Sequence, residues 1–336
     1  MATIREIADY TNLSASTVSI VLSGKSAARN ISEKTTKKIL EAAKELGYTP
    51  NISARRLRNN NTKKYVSVFW ANDFRAPLLF EFIKGMQQYI EKSATDIEIV
   101  LRLFTPDLLE KTAQPDQLAM YSANVICTAS SKDLDYLERT NFITPIVLYN
   151  RVSEKYSNVY VNNEALGTKA AEIFISHNRK NAIVFTVKKS QYIYSEKRML
   201  GFMNTFNNSG GITTVINAPE NTLRSAYSVI KEAQQVFKNA DCVFCLHDRF
   251  AISYLNYIRN SDLISVPDAQ EIISIGAHDS DNYESLHIPL SIIEVPICEM
   301  GQECMRIVTE RLNGDQYEIE SHIVDFNYIE RASTLQ

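Results

Sequence analysis

The chain has 336 residues, 45% hydrophobic and 22% charged, which exceeds one ordinary domain and can bury sizeable cores. No apolar run nears the ~18 residues of a membrane span, and the start lacks a leader pattern. Five scattered cysteines (127, 242, 245, 298 and 304) suggest no disulfide framework, so a cytoplasmic protein with reduced thiols and no membrane partner is expected.

Charge is unevenly spread. Residues 1–64 hold 12 Lys/Arg against 5 Asp/Glu, whereas residues 65–336 hold 24 against 34, within an overall net charge of −3. A basic head on an acidic body concentrates attraction for phosphate at one end, although a Lys-rich solvated helix face would look alike by charge alone.

Sequence pattern decides in favour of the head. Thr3-x-x-Glu6 is a capping-box pattern ahead of apolar Ile4, Ile7 and Ala8. Asn12 can break that helix, and Ser14 or Ser16 can cap a second one carrying Thr17, Val18, Ser19, Val21 and Leu22. A third helix opens at Ser32, buries Ile39, Leu40, Ala43 and Leu46, and stops at Gly47. Two short helices braced by a third form the helix-turn-helix module that lays its second helix in a major groove.

The run Ile4-Arg5-Glu6-Ile7-Ala8, the triplet Thr17-Val18-Ser19, and Leu46-Gly47-Tyr48-Thr49-Pro50-Asn51 with Ala54 and Leu57 resemble the lactose/galactose repressor family. The resemblance implies an all-α headpiece joined to a body like that of periplasmic sugar-binding proteins, and it covers nearly the whole chain. Its implied divisions are a headpiece at 1–48, a hinge helix and linker at 49–63, and an effector-binding, dimerising body at 64–336. Residues 51–58 could form about two helical turns, too few for stability alone in water, so folding there would depend on DNA and a partner chain. By resemblance Leu57 wedges into a minor-groove step, with Asn51 and Ala54 on the same hinge and Arg55, Arg56 and Arg58 near phosphates.

Two departures limit any operator assignment. Ile20 stands where the family often has Arg, which removes a bidentate guanine contact of about 1–3 kcal/mol. Ala15 and Ser16 open the recognition helix, suited to a thymine methyl and an ambiguous hydrogen bond. The loop 23–31 is longer than usual, and its Lys25 and Arg29 either add phosphate contacts or face solvent.

From Tyr65 onward, short β-branched or aromatic runs alternate with helical stretches. Strands are predicted at Tyr65–Trp70, Ile97–Phe104, Asn124–Thr128, Ile146–Tyr149, Ala182–Thr186, Cys242–Leu246 and Ile272–Ile275. Leu79, Phe82, Ile83, Met86, Tyr89 and Ile90 recur at helical spacing between the first two. Such alternation predicts an α/β body, two doubly wound parallel-sheet lobes fitting this length better than one. The resemblance places chain crossings between lobes near Val161–Glu164, His287–Ser291 and His322–Asp325.

Ligands of open α/β sheets sit beyond the carboxyl ends of strands, where the family pattern can be matched position by position. The first loop offers Phe74 and Pro77 as apolar walls, and Asn150 precedes Arg151 where the family has Asp-Arg. Arg198 falls in the segment that supplies a clamping Arg, downstream of Tyr192 and Tyr194, which either stack on a sugar or pack the wall. His247-Asp248-Arg249 resembles an Asn-Asp-x turn, and His278 stands where a sugar-binding carboxylate is usual. Carboxylates accept paired hydroxyl protons, so slots holding Arg198, His247, Arg249 and His278, with Asn150 a neutral neighbour, predict a ligand with negative charge, such as a sugar phosphate, or one with more acceptors than donors. Alternatively Arg249 pairs with Asp248 or another acid, and His247 is structural.

Enzyme patterns are missing: the ten glycines assemble no G-x-G-x-x-G, Walker A or G-x-S-x-G motif, and no cofactor is implied. Cys242 and Cys245 have redox spacing, but along a strand they point to opposite faces. The His-Asp neighbours read as structural rather than metal-binding. The expected protein is a transcriptional regulator, most simply a repressor of a carbohydrate-use operon. It would bind a pseudo-palindromic duplex operator and a small sugar or sugar-phosphate effector as a homodimer, since the chain ends soon after its last strand without a heptad helix. A corepressor-dependent repressor or an activator would share this pattern. A free-standing solute receptor would not need the basic head.

Overall fold

The computed structural model describes residues 4–22, 31–46, 63–73, 75–188, 193–259, 264–277, 280–314 and 318–335, and the chain divides into two compact units, 1–62 and 63–336. In the first unit, α1 (Ile4–Thr11), α2 (Ala15–Leu22) and α3 (Glu33–Glu45) pack Ile7, Ala8, Val18, Val21, Ile39, Ala42 and Ala43 into one apolar cluster. Asn12 ends α1 in the left-handed region, φ 53°, which asparagine tolerates better than most residues. Ser14 rather than Ser16 caps α2, its Oγ accepting the Thr17 N–H at 3.1 Å. Ser32 caps α3 in the same way through Thr35 N–H at 3.2 Å. Lys38 donates Nζ to the Thr11 carbonyl at 2.8 Å, tying α3 to the end of α1.

One core residue is corrected. Leu40 is 51% exposed. The buried stripe of α3 runs Ile39, Ala42, Ala43 and Leu46, the i, i+3, i+4, i+7 spacing of one helix face, and Leu40 lies a further ~100° round. Thr3, Gly47 and the hinge lie outside the described residues.

The second unit opens with β1 (Lys64–Ala71), α4 (Leu78–Ser93), β2 (Ile97–Phe104), α5 (Pro115–Leu118), β3 (Ala123–Cys127), α6 (Ser131–Arg139), β4 (Ile146–Tyr149) and β5 (Ser157–Tyr160). It continues with α7 (Asn163–Ser176), β6 (Asn181–Val187), α8 (Ile193–Asn208), β7 (Ile212–Ala218), α9 (Leu223–Glu232), α10 (Gln234–Lys238), β8 (Cys242–Cys245), α11 (Asp248–Arg259), β9 (Glu271–Ala277), α12 (Ser280–Glu284) and β10 (Ser291–Val295). Helix α13 (Ile297–Asn313) and two short strands, β11 (Ser321–Ile323) and β12 (Asn327–Ile329), close the unit.

Among the described residues these strands form two six-stranded sheets, β11-β5-β4-β3-β1-β2 and β12-β10-β9-β8-β6-β7. Both are parallel apart from the antiparallel β12 edge. The chain therefore passes between lobes three times: after β5, after β10, and between β11 and β12. The second passage comes at Pro296, later than His287–Ser291, because β10 still belongs to the second sheet. Cys242 and Cys245 are buried on opposite faces of that sheet, as period-2 geometry requires. Among the described residues no helix is long and apolar enough to cross a membrane.

The helices that feed the site are fixed by close packing. Gly167 on α7 and Gly201 on α8 face the partner helix, where an added Cβ would lie 1.9 Å from the Arg198 carbonyl oxygen and 2.1 Å from the Glu164 carbonyl oxygen. Only glycine permits these two backbones to approach so closely.

Candidate functional site

On the first unit, Ala15 and Ser16 are exposed at the start of α2, with Thr17, Ser19 and Ile20 partly covered. The Ser14 Oγ stands 2.8 Å from both Ser16 Oγ and Thr17 Oγ1, so the cap organises the hydroxyls at this end of the helix. A short polar helix end of this kind is what a groove reader presents to base edges. Lys25, Arg29, Asn51, Ala54, Arg55, Arg56, Leu57 and Arg58 lie outside the described residues.

The second unit holds a cavity of about 180 Å³ at the carboxyl ends of both sheets. Its lining includes Pro77, Asn150, Tyr194, Arg198, His247 and Arg249, six of the eight residues named from sequence, while Phe74 and His278 lie outside the described residues. Helices α4, α8, α11 and α13 all start at or beside the cavity, directing N-terminal N–H groups and positive dipole ends that way.

Arginines dominate its electrostatics. Arg75 is held by Asp73, with Nη2–Oδ2 at 2.5 Å, and also donates to the Thr128 carbonyl at 3.2 Å. Arg151 is buried, donates to the carbonyls of Ala129 and Asn150, and lays its guanidinium 4.7 Å from the Tyr194 ring centre. Arg198 donates Nε to the amide oxygen of Asn163 at 2.7 Å, and burial lowers its pKa to about 10, leaving it charged at neutral pH. Arg249 reaches the Asn221 carbonyl at 3.1 Å. Asp248 does not pair with that guanidinium; its carboxylate accepts the Arg249 backbone N–H at 2.7 Å and the Tyr283 hydroxyl at 3.0 Å.

His247 registers the resulting field. Its side chain is partly open and lines the cavity. Burial first, then Arg198, Arg249 and Arg75, pushes its pKa down to about 3, so it is a neutral imidazole at ordinary pH. Tyr149 is buried in the cavity wall, its hydroxyl pKa raised by desolvation, and it stacks on Trp70 with centroids 5.7 Å apart. Tyr194 joins the lobes: its hydroxyl accepts the Val152 N–H at 3.1 Å, and its ring meets Arg151. A ring so engaged is a bridge between lobes before it is a stacking platform.

Comparison with known proteins matches these two units separately. Residues 3–51 match the model of bacterial regulatory proteins of the lacI family, and residues 171–334 match the periplasmic binding protein-like domain. The chain thus carries a lacI-family DNA-binding domain together with a periplasmic binding protein-like domain, and its relatives are transcriptional regulators of the lacI family. It is 23% identical to the HTH-type transcriptional regulator RegA of Clostridium saccharobutylicum, over the full length of both chains. It is also 23% identical to the ribose operon repressor of Haemophilus influenzae, over 99% of this chain and 98% of that one. The fold is that of the lac repressor dimer solved with operator and the anti-inducer ONPF, with TM-score 0.71, 17% identity, and 100% and 99% of the two chains covered. The headpiece match and these relatives make the chain a DNA-binding transcriptional regulator, and the relatives are regulators rather than enzymes.

Lining residues to which the sequence assigns no site role are Arg75, Thr128, Arg151, Asn221 and Asp248. Arg151 and Asp248 were adjacent to residues singled out, but nothing in the sequence shows that Asn221, between β7 and α9, reaches the cavity. Thr128 carries a structural signal. It sits at φ 56°, a region a β-branched residue rarely occupies, directly after β3. Among the described residues no group of His, Cys, Asp and Glu has the arrangement of a metal site.

Proposed function

We propose that this regulator is a homodimeric, cytoplasmic repressor of carbohydrate use whose hold on a pseudo-palindromic operator is set by a small polyhydroxylated effector in the inter-lobe cavity. The carrying observation is the union, in one chain, of a helix-turn-helix headpiece and a two-lobed body with a cavity at the strand ends. The ribose operon repressor supports the carbohydrate assignment, and the lac repressor dimer on its operator supports the two-fold DNA complex.

The mechanism follows from differential binding. Side chains of both lobes line the cavity, so an effector contacting both favours one degree of closure, and Tyr194 with Arg151 and Val152 bridges the lobes at that point. Closure alters the spacing of the paired hinges, where Leu57 acts as the wedge. By linkage, effector and operator change each other's affinity by the same factor, typically about 5–150-fold.

The test is selection of bound duplexes from a random pool, then anisotropy titration of the selected site with and without a sugar panel. A two-fold symmetric consensus whose affinity responds to one sugar class is expected, with loss of bending in Leu57→Ala. Binding governed by salt alone, with no sequence preference and no sugar response, would overturn the proposal.

A further inference from the structure

The cavity is over-supplied with positive charge. Among the described residues its lining holds Arg75, Arg151, Arg198 and Arg249 against Asp248, with Asp73 neutralising Arg75 from behind. Among the same residues no carboxylate lies within ion-pairing distance of the Arg198 or Arg249 guanidinium; their bonds run to an amide oxygen and a carbonyl. Partly buried cations with no acid in pairing range are costly, and a ligand can supply what the protein does not. The depressed basicity of His247 reports the same field from a different group.

A second observation points to hydroxyls. Thr128 Oγ1, Asn150 Oδ1 and Asn221 Oδ1 are buried with no hydrogen-bond partner among the described residues, and all three side chains line the cavity. Thr128 is only 3% exposed. Buried polar atoms are nearly always paired, so orphans on residues that line one cavity from both lobes await a partner from a ligand.

We propose that the effector carries one anionic group on a polyhydroxylated frame, the anion held by Arg198 and Arg249 and the hydroxyls met by Thr128, Asn150 and Asn221. This rests on the effector-site reading above. Phosphate and carboxylate share the required chemistry, since either accepts charge-assisted bonds from guanidinium.

The full chain is titrated with matched pairs, ribose against ribose 5-phosphate and glucose against glucose 6-phosphate or glucuronate, following Trp70 fluorescence and thermal midpoint. Trp70 is the sole tryptophan and stacks on Tyr149 of the cavity wall. Within a pair the anionic member should bind about 10- to 100-fold tighter. Arg249→Gln should remove that preference, and Asn150→Asp, which adds a carboxylate, should shift it toward the neutral member without needing loss of any contact. The phosphate and carboxylate arms identify the anion. Equal or tighter binding of neutral sugars, unaffected by Arg249→Gln, would overturn the anionic effector and leave the effector site standing. Absence of binding by every probe, with both variants folded, would overturn both.

Discussion

Gly167→Ala tests how the site is built, because two effects of opposite sign meet at one atom. Alanine is the better helix former by roughly 0.8–1 kcal/mol, so at an uncrowded helix position the variant would gain stability. Here the new Cβ would lie 1.9 Å from the Arg198 carbonyl oxygen and 2.7 Å from the Phe202 nitrogen, both backbone atoms that no side-chain rotation can move. Relief requires α7 and α8 to separate, and such overpacking costs about 1–3 kcal/mol, occasionally more. Overpacking wins at this backbone-to-backbone contact, for a net loss of up to about 2 kcal/mol, or a midpoint lowered by up to roughly 4 °C. Separation also carries Arg198 away from Asn163 and from the cavity, so affinity for the effector should fall with stability. Calorimetry against an exposed control on the same helix, Glu172→Ala, which should stay within about 0.5 kcal/mol of the parent, isolates the effect. A stabilised Gly167→Ala protein with unchanged effector binding would refute the close crossing and the placement of Arg198 that depends on it.

Other perturbations separate the parts of the molecule. Ile39→Ala removes the fully buried centre of the headpiece cluster, and a loss of about 2–5 kcal/mol should abolish operator binding in a gel-shift assay while body ligands still bind. Tyr194→Phe deletes the hydroxyl that accepts Val152 N–H; because Val152 is exposed, water replaces it, and the loss should be only about 0.5–1.5 kcal/mol, read as a faster effector off-rate in stopped flow. His247 has a folded pKa near 3 against about 6.5 unfolded, so the unfolded state binds the extra proton between those values. Stability present above pH 6.5 is therefore lost on acidification toward pH 3, by at most about 1.4 kcal/mol per pH unit. His247→Gln should flatten that limb in urea titrations, and an unchanged slope would show that the imidazole is not held neutral.

Local rules read well from sequence where one physical signal dominates. The caps Ser14 and Ser32, the break at Asn12, and strands such as Ile97–Phe104 and Ile146–Tyr149 follow from side chains acting on their own backbone. Leu40 went wrong because hydrophobicity was counted without its angle around the helix. Strand β10 was missed because Ser291 and Glu294 interrupt its apolar run; both are buried, and Ser291 is paired with Arg331 and Thr334. Strands β11 and β12 are three residues long, too short for periodicity to register. In the cavity, family spacing brought Pro77, Asn150, Tyr194, Arg198, His247 and Arg249 to one place. The charge balance was not legible, since it depends on which arginine has an acid behind it, and only the fold reveals Asp73 on Arg75 and none of the described acids on Arg249.

Thr128 shows why the cavity wall is ordered for a ligand rather than for stability. A β-branched residue in the left-handed region costs roughly 1–2 kcal/mol, and its buried hydroxyl, lacking a partner among the described residues, adds a desolvation cost. A ligand can satisfy the hydroxyl, but it cannot remove the backbone strain, so the surrounding protein must hold the conformation. It does so from two sides: Thr128 donates its N–H to the Tyr149 carbonyl at 3.2 Å, and its own carbonyl accepts from Arg75 at 3.2 Å. Arg75 is fixed in turn by Asp73, so the loop after β1 and the end of β4 together pin Thr128, a cavity-lining residue whose buried hydroxyl has no partner among the described residues. Asn150, at φ 52° one strand away, repeats the arrangement with its N–H bonded to the Val159 carbonyl at 2.7 Å and its amide oxygen left over. Neighbouring parallel strands thus end in the same left-handed turn, strained at Thr128 and tolerated at Asn150, each with a buried polar atom unpaired among the described residues on a residue that lines the cavity.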